Sequence, residues 1–317
     1  MRLSPKAATL LTLAAIMLVA PIFFPSAYYF RIAAVVYVNA LAVLGMVILI
    51  GYAGQISLGH AGFAGIGGYA CALAPVYLGL HPALAAVLGA IISGCLAWLV
   101  GKPILRLKGY YLAVASLGFG ILVSMVLNNE AQITRGPDGI SVPDLGLRAL
   151  LAGLGLKLTT PQFWYGFTGL TLLFGAWVAL NIADSATGRG LRALHGSETA
   201  ASTVGVDVAR GKLIACVISA IYASAAGSLI ALMNNQITPD VAGYMHSIAM
   251  VTMAVLGGAS SVAGGILGAT ILTLLPQALT AFDKYEHMTL GLIMMLVMIF
   301  MRQGLWPSLV ARFRGRA

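Results

Sequence analysis

Residues 32–50 read IAAVVYVNALAVLGMVILI, a run without a single charged side chain. Comparable runs recur near residues 7–24, 62–79, 83–101, 110–128, 163–182, 213–233, 246–258, 264–281 and 288–302. A helix of roughly 18 to 20 apolar residues covers the hydrocarbon core of a bilayer. In lipid every backbone polar group must be satisfied within the chain, which leaves helices as the economical answer to runs of this length. The pattern predicts an all-α polytopic membrane protein with about eight to ten transmembrane helices in a single transmembrane domain over residues 1–317. Composition agrees: 60% of the 317 residues are hydrophobic and only 9% charged, far outside the soluble range. The run at 246–258 is short, and a hairpin through 246–281 is open to a spanning or a re-entrant reading, as is the stretch 51–62. Arg2 and Lys6 precede the first run in the layout of a signal peptide, but the run is too long for one, so it reads as an uncleaved first span.

The charges sort by side. With the N-terminus cytoplasmic, thirteen basic and three acidic residues fall inside, against five basic and six acidic outside. This asymmetry follows the positive-inside rule and predicts that both termini are cytoplasmic. It also accounts for the net charge of +9 without invoking nucleic acid. No acidic residue falls in the middle of a proposed span, so a proton-driven carrier would have only His60 to titrate there. No GxxxxGK[ST] phosphate loop is present, so ATP hydrolysis by that route needs a partner. Cys71, Cys95 and Cys216 lie in apolar segments without CxxC spacing, which indicates neither a disulfide framework nor a metal site. No nucleophile stands beside a base and no His, Asp or Glu residues cluster, so the chain is read as non-catalytic.

Residues 51–70, GYAGQISLGHAGFAGIGGYA, combine glycine with Gln55, Ser57 and His60. On a helix, Ala53, Ser57, Ala61 and Gly65 would form one stripe of small side chains, the kind that lets helices approach closely in lipid. Ser57 and His60 would lie about 60° apart and Gln55 well away from both. An unbroken lipid-facing helix does not tolerate that, so either the helix is broken or every face is covered. Two readings of the polar trio stay open: a candidate translocation pathway, or, for His60, a packed histidine bonded to a neighbouring carbonyl. VLGGASSVAGGILG, residues 255–268, repeats the theme, and Gly257, Gly258, Gly264 and Gly265 are read as helix-packing positions. Asn128 and Asn129 are expected to end a helix, and ITRGPDGIS, residues 133–141, is turn chemistry.

The longest inside loop, residues 184–212, carries helix signals. Ser197 is a plausible N-cap, Glu198 sits in the first turn, and Gly205 suits a left-handed stop. Ala200, Ala201 and Val204 form a small apolar face, and Leu191 and Leu194 beside Arg189 and Arg192 suggest a preceding helical turn. A pair of short helices suits docking into a groove on another subunit; a basic loop that only enforces orientation is the alternative.

The segment from Gly188 onward, GRGLRALHGSETAASTVGVDVARGKLIACVISAIYASAAGSLIA, resembles the EAA-type coupling loop of permease subunits from branched-chain amino-acid ABC importers. GYAGQISLGHAGFAGIGGY, GYYLAVASLGFG with ITRGPDGIS, VLGGASSVAGGILGATILTLLP and MRQGLWP agree in order and spacing over about residues 32 to 307. The extra N-terminal span makes the chain look like the longer of the two sister permeases. The resemblance implies a multi-pass protein of the bacterial inner membrane that works with a sister permease, two ATP-binding subunits and a periplasmic substrate-binding protein. ATP and Mg would be used by the partner ATPase, and no cofactor would be bound by this chain. Arg192, Glu198, Ala200, Ala201 and Gly205 would be the ATPase-coupling residues: Glu198 caps and orients, the alanines pack into the ATPase groove, and Gly205 turns the chain. Three departures stand out. His195, Gly196 and Ser197 occupy positions that relatives fill with more charge, Arg135 replaces a frequent glycine, and Ser116 a frequent threonine. Permeases for urea, amides or other amino acids fit the same spans, and an ion-coupled secondary transporter is a more distant alternative.

Overall fold

The computed structural model describes residues 5–107, 109–148, 153, 155, 158–278, 291, 295 and 304–308. Helix α1 (Pro5–Val19) leads through a 3-10 turn into α2 (Ala27–Met46), whose last residues widen into a π turn, Val47–Tyr52. After an irregular stretch come α3 (His60–Leu78), α4 (Pro82–Ile104), α5 (Tyr110–Asn129) and the single turn α6 (Ala131–Thr134). Helix α7 (Thr160–Asp184) is followed by two short helices, α8 (Ala186–Gly196) and α9 (Glu198–Thr203). The long α10 (Val208–Asn234) then leads to a hairpin of α11 (Tyr244–Gly257) and α12 (Val262–Ala278). Among the described residues seven helices are long and apolar enough to cross a membrane, and the two hairpin helices are shorter. The span expected at 288–302 lies outside the described residues.

Local chemistry sets the helix ends. Thr159 and Gln162 form a reciprocal capping box at the start of α7, satisfying amides that the first turn leaves without partners. Gly79 adopts φ 64° at the end of α3, and α5 stops at Asn129, with Asn128 Nδ2 donating to the Ser124 carbonyl at 2.9 Å.

Two central helices, α2 and α10, organise the bundle. Helix α10 packs along α3, α4 and α2, while α2 also takes α7 and α12 on its other sides. Small residues make these approaches possible, since close backbone contact is a main source of helix association in lipid. A Cβ at Gly227 would stand 1.9 Å from the Ala64 carbonyl oxygen, and one at Gly67 would stand 2.1 Å from that of Ser224. In the hairpin, a Cβ at Gly257 would meet the Gly264 oxygen at 1.9 Å, and one at Gly265 would meet Val47 Cγ2 at 2.6 Å. Gly264 itself packs against the carbonyl of Gly258, which turns the chain at φ 105°. Helix α1 lies against α7, tied to its end by a Lys6–Asp184 ion pair at 2.9 Å and held farther along by the Tyr165 hydroxyl, which donates to the Met17 carbonyl at 2.7 Å.

The expected all-α architecture holds apart from one small addition. Ile140–Ser141 and Gln236–Ile237 pair antiparallel, Ile140 opposite Ile237, as strands β1 and β2. The pairing satisfies the backbone where two loops meet beyond the helix ends, and it buries Ile140, Val142, Leu145 and Ile237 against Leu127, Tyr69 and Trp164. The turn ahead of β1 is a 3-10 turn, Gly136–Asp138, entered through Arg135 at φ 57°. A left-handed conformation costs a residue with a Cβ about 1 kcal/mol, and the Arg135 side chain is exposed. Arg135→Gly is therefore expected to raise stability by up to about 1 kcal/mol, less the greater chain entropy of glycine; a lowered thermal midpoint in detergent would contradict this.

Candidate functional site

The helix of α2, extended by its π turn to Tyr52, does not run on into α3. The amide of Ala53 reaches back to the Ile48 carbonyl (3.2 Å), that of Gly54 to Ile50 (3.1 Å) and that of Gln55 to Leu49 (3.0 Å). Gly54, at φ 67°, then turns the chain out of helical geometry, a conformation that a residue with a Cβ adopts only under strain. Residues 53–59 run without helix until α3 begins at His60. The expected four-residue stripe is thus corrected. Ala53 and Ser57 lie outside any α-helix, and only Ala61 and Gly65 share a helix, with a Cβ at Gly65 standing 2.6 Å from Ala242 Cβ. The break has a physical cause in the polar groups, which no single helical face could hide, and both conditions foreseen for them hold. The helix is broken, and Gln55, Ser57 and His60 are all covered, at 7%, 9% and 1% exposure.

The polar groups bond locally, except that His60 Nε2 is buried without a partner among the described residues. Gln55 Nε2 donates to the Ala53 carbonyl at 3.0 Å. Ser57 Oγ and His60 Nδ1 are 2.8 Å apart, so the partner of this histidine is a hydroxyl and not the expected carbonyl. Two neighbouring helices hold the start of α3. Ser116 Oγ of α5 accepts from the Leu58 amide at 3.0 Å, and Ser247 Oγ of α11 accepts from the Ala61 amide at 2.9 Å. Gly59 permits this, because a Cβ there would lie 2.0 Å from the Ser116 carbonyl oxygen. Ser247 is a cap supplied from a distant helix, invisible to any local reading of 51–70. Ser247→Ala leaves a helix-terminal amide buried without an acceptor and is expected to cost about 1 to 2 kcal/mol; thermal unfolding in detergent reads this out, and an unchanged midpoint would count against the cap. Beside the segment, Gln55, Ile56, Ser57 and Ser116 line a small cavity of about 30 Å³, with Gly101 of α4 and Phe119 of α5 across it.

Helix α8 covers the end of α2, and α9 packs against α8 and the start of α10. Ser185 Oγ caps α8 through the Gly188 amide at 3.2 Å, and Ser197 Oγ caps α9 through the Ala200 amide at 3.3 Å. Gly205 takes φ 83°, and its amide donates to the Ser202 carbonyl at 3.1 Å. Leu191 and Leu194 are buried in the main core with Tyr52 and Ala53. Arg192 lays its guanidinium over the Tyr52 ring, 5.7 Å from the centroid, a cation–π arrangement. Glu198 pairs with Lys212 of α10 at 2.5 Å.

The expected apolar face divides in two. Ala201 is 2% exposed and packs against this chain, so it is not available to a groove on another subunit. The reason is geometric: Glu198 is drawn to Lys212, and Ala201, three residues on, shares its inward side of the helix. Thr199, Ala200, Thr203 and Val204 face outward, Val204 at 75% exposure. Lys212 was legible in sequence only as an orienting charge, because its partner is fixed by the folding back of α9.

A family profile described as "Branched-chain amino acid transport system / permease component" matches residues 28–301. The chain is 32% identical over 286 residues to the high-affinity branched-chain amino acid transport system permease protein LivM of Salmonella typhimurium, and 33% identical over 282 residues to that of Escherichia coli. Each alignment covers 83% of this chain, which spans only 66% of those relatives' length. It is 26% identical over 286 residues to the permease protein LivH of Salmonella typhimurium, covering 84% of this chain and 90% of the relative. No solved structure matches. The broken α2–α3 connection, the glycine-packed helices and the capped α8–α9 pair are therefore features of a multi-pass membrane protein that belongs to the branched-chain amino acid transport permease family.

Proposed function

We propose that this chain is the membrane-spanning permease subunit of an ATP-driven importer of branched-chain amino acids in the bacterial inner membrane. It works beside a sister permease, receives leucine, isoleucine or valine from a periplasmic binding protein, and is driven by two ATP-binding subunits that hold ATP and Mg. The observation that carries the reading is the family match over residues 28–301 joined to a capped helix pair whose outer face is exposed among the described residues.

That pair stands at the end where basic residues gather, which the positive-inside rule assigns to the cytoplasm. The outward residues Thr199, Ala200, Thr203 and Val204 form a docking face of the kind that fits a groove on an ATPase. Transport follows from differential affinity: nucleotide that binds one arrangement of the assembly better than the other shifts the permease between inward and outward openings.

Co-expression of the tagged chain with its genomic neighbours tests the assembly, and uptake into proteoliposomes tests the substrate. Copurification of an ATPase and uptake of leucine over urea are the expected results; recovery of the chain alone would overturn the reading. Val204→Asp places a charge at the centre of the docking face. It is expected to reduce ATPase recovery about tenfold or more, the scale of a lost interface anchor, with the thermal midpoint of the isolated chain unchanged.

A further inference from the structure

Helix α8 packs against the end of α7, the start of α10 and the π turn that ends α2, and the last of these contacts leads to the polar stretch. Arg192 lies over Tyr52 at 5.7 Å. Three residues further on, His195 is so close to Gly54 that a Cβ at Gly54 would stand 3.2 Å from His195 Nδ1 and 3.4 Å from its Cα. Leu191 and Leu194 fasten the inner side of α8 into the same core. Immediately after Gly54 the chain enters the stretch 55–60, which carries Gln55, Ser57 and His60. The docking face of α9 is thus linked to the polar interior by a short path through α8 and the π turn.

That path has the properties of a hinge. A π turn holds its backbone in wider rings than an α-helix and is a common mark of functional sites, and Gly54 gives the chain left-handed freedom at its exit. The far end of the stretch is held by two hydroxyl contacts, Ser116 to the Leu58 amide and Ser247 to the Ala61 amide. Packed interiors resist displacement, and this stretch is packed less tightly on the side of the small cavity beside Gln55, Ile56 and Ser57. Ile56 is already 52% exposed.

We propose that Tyr52 and Gly54 are positioning residues through which α8, by Arg192 and His195, sets the conformation of residues 55–60. The inference rests on the proposed function, because α8 is displaced only if an ATPase docks beside it. Energetic coupling between sites needs a physical element with two arrangements that both sites bias. The π turn with its following irregular stretch is that element.

The test uses the whole complex, with sister permease, ATPases and binding protein, in proteoliposomes. Ile56→Cys in a Cys95→Ser, Cys216→Ser background reports the segment through its rate of reaction with a maleimide, with and without a non-hydrolysable ATP analogue. Nucleotide is expected to change that rate in the parent. Tyr52→Leu and His195→Ala are expected to abolish the change and to lower leucine transported per ATP hydrolysed by about fivefold or more, the lower bound of typical coupling between sites. Tyr52→Phe keeps the ring face and is expected to keep both signals, which a merely structural loss would not predict. A parent that transports, with Tyr52→Leu and His195→Ala retaining both signals, overturns the inference alone. Phe as defective as Leu at position 52 overturns the cation–π link. A parent that recruits no ATPase overturns the proposed function and this inference together.

Discussion

Gly227→Ala should be among the most damaging single changes in the chain, although it adds only a methyl group. In an ordinary helix the exchange of glycine for alanine stabilises by about 1 kcal/mol. At Gly227 the new Cβ would lie 1.9 Å from the Ala64 carbonyl oxygen and 2.5 Å from its carbon, and both are backbone atoms that cannot rotate away. Helices α3 and α10 must separate, and the contacts on either side of the clash, including the Ser228 hydroxyl bonded to the Gly67 carbonyl at 3.0 Å, are strained with it. The expected loss is about 3 kcal/mol, at the upper end of overpacking penalties. Gly118 of α5 and Gly166 of α7 are the controls, since a Cβ at either meets nothing within 4 Å. Gly118→Ala and Gly166→Ala are expected to leave the thermal midpoint unchanged or raised, while Gly227→Ala lowers it sharply. If all three shift in the same direction, close approach is not what the glycine of α10 provides.

These glycines show where sequence is informative and where it stops. The excess of glycine within apolar runs already pointed to close packing, because in lipid that is what small residues do best. Which helix meets which was not legible, since the partner of Gly227 lies in α3 and that of Gly265 in α2, both far away along the chain. The spans that fall on described residues emerged within a few residues of their observed ends for the same physical reason, namely that hydrocarbon thickness sets their length. Around Gln55, Ser57 and His60, periodicity alone revealed a conflict and offered two ways out; the structure uses both, breaking the helix and covering the groups. The Ser247 cap and the inward turn of Ala201 depend on contacts between separate elements, and no local pattern encodes them. The capping residues of α8 and α9 act within three or four positions, which is why Ser197 and Gly205 were readable in advance.

Glu198 and Lys212 join the outer helix pair to the bundle, and their substitution should separate stability from coupling. Lys212 lies in the second turn of α10, with its side chain 4% exposed, and its ammonium is 2.5 Å from Glu198 Oε1, whose side chain is 32% exposed. A cation near a helix N-terminus also opposes the helix dipole, so the carboxylate offsets both desolvation and dipole. Glu198→Gln leaves the buried ammonium without its counter-charge. The expected cost is about 3 kcal/mol, the low end for a broken buried pair, because Glu198 retains some contact with water. Replacing both partners, as Lys212→Met with Glu198→Gln, removes the unpaired charge, and stability should return to within about 1 kcal/mol of the parent. Coupling should not return with it. Helix α9 runs only from Glu198 to Thr203, and without the ion pair its docking face is fixed by little more than the burial of Ala201. Thermal midpoints and leucine transported per ATP hydrolysed, measured on the same three proteins, separate the two effects. A Glu198→Gln midpoint within about 0.5 kcal/mol of the parent, the range of a neutral surface change, would show that the pair holds nothing. Full transport in the double variant would show that it holds the fold and not the register of α9.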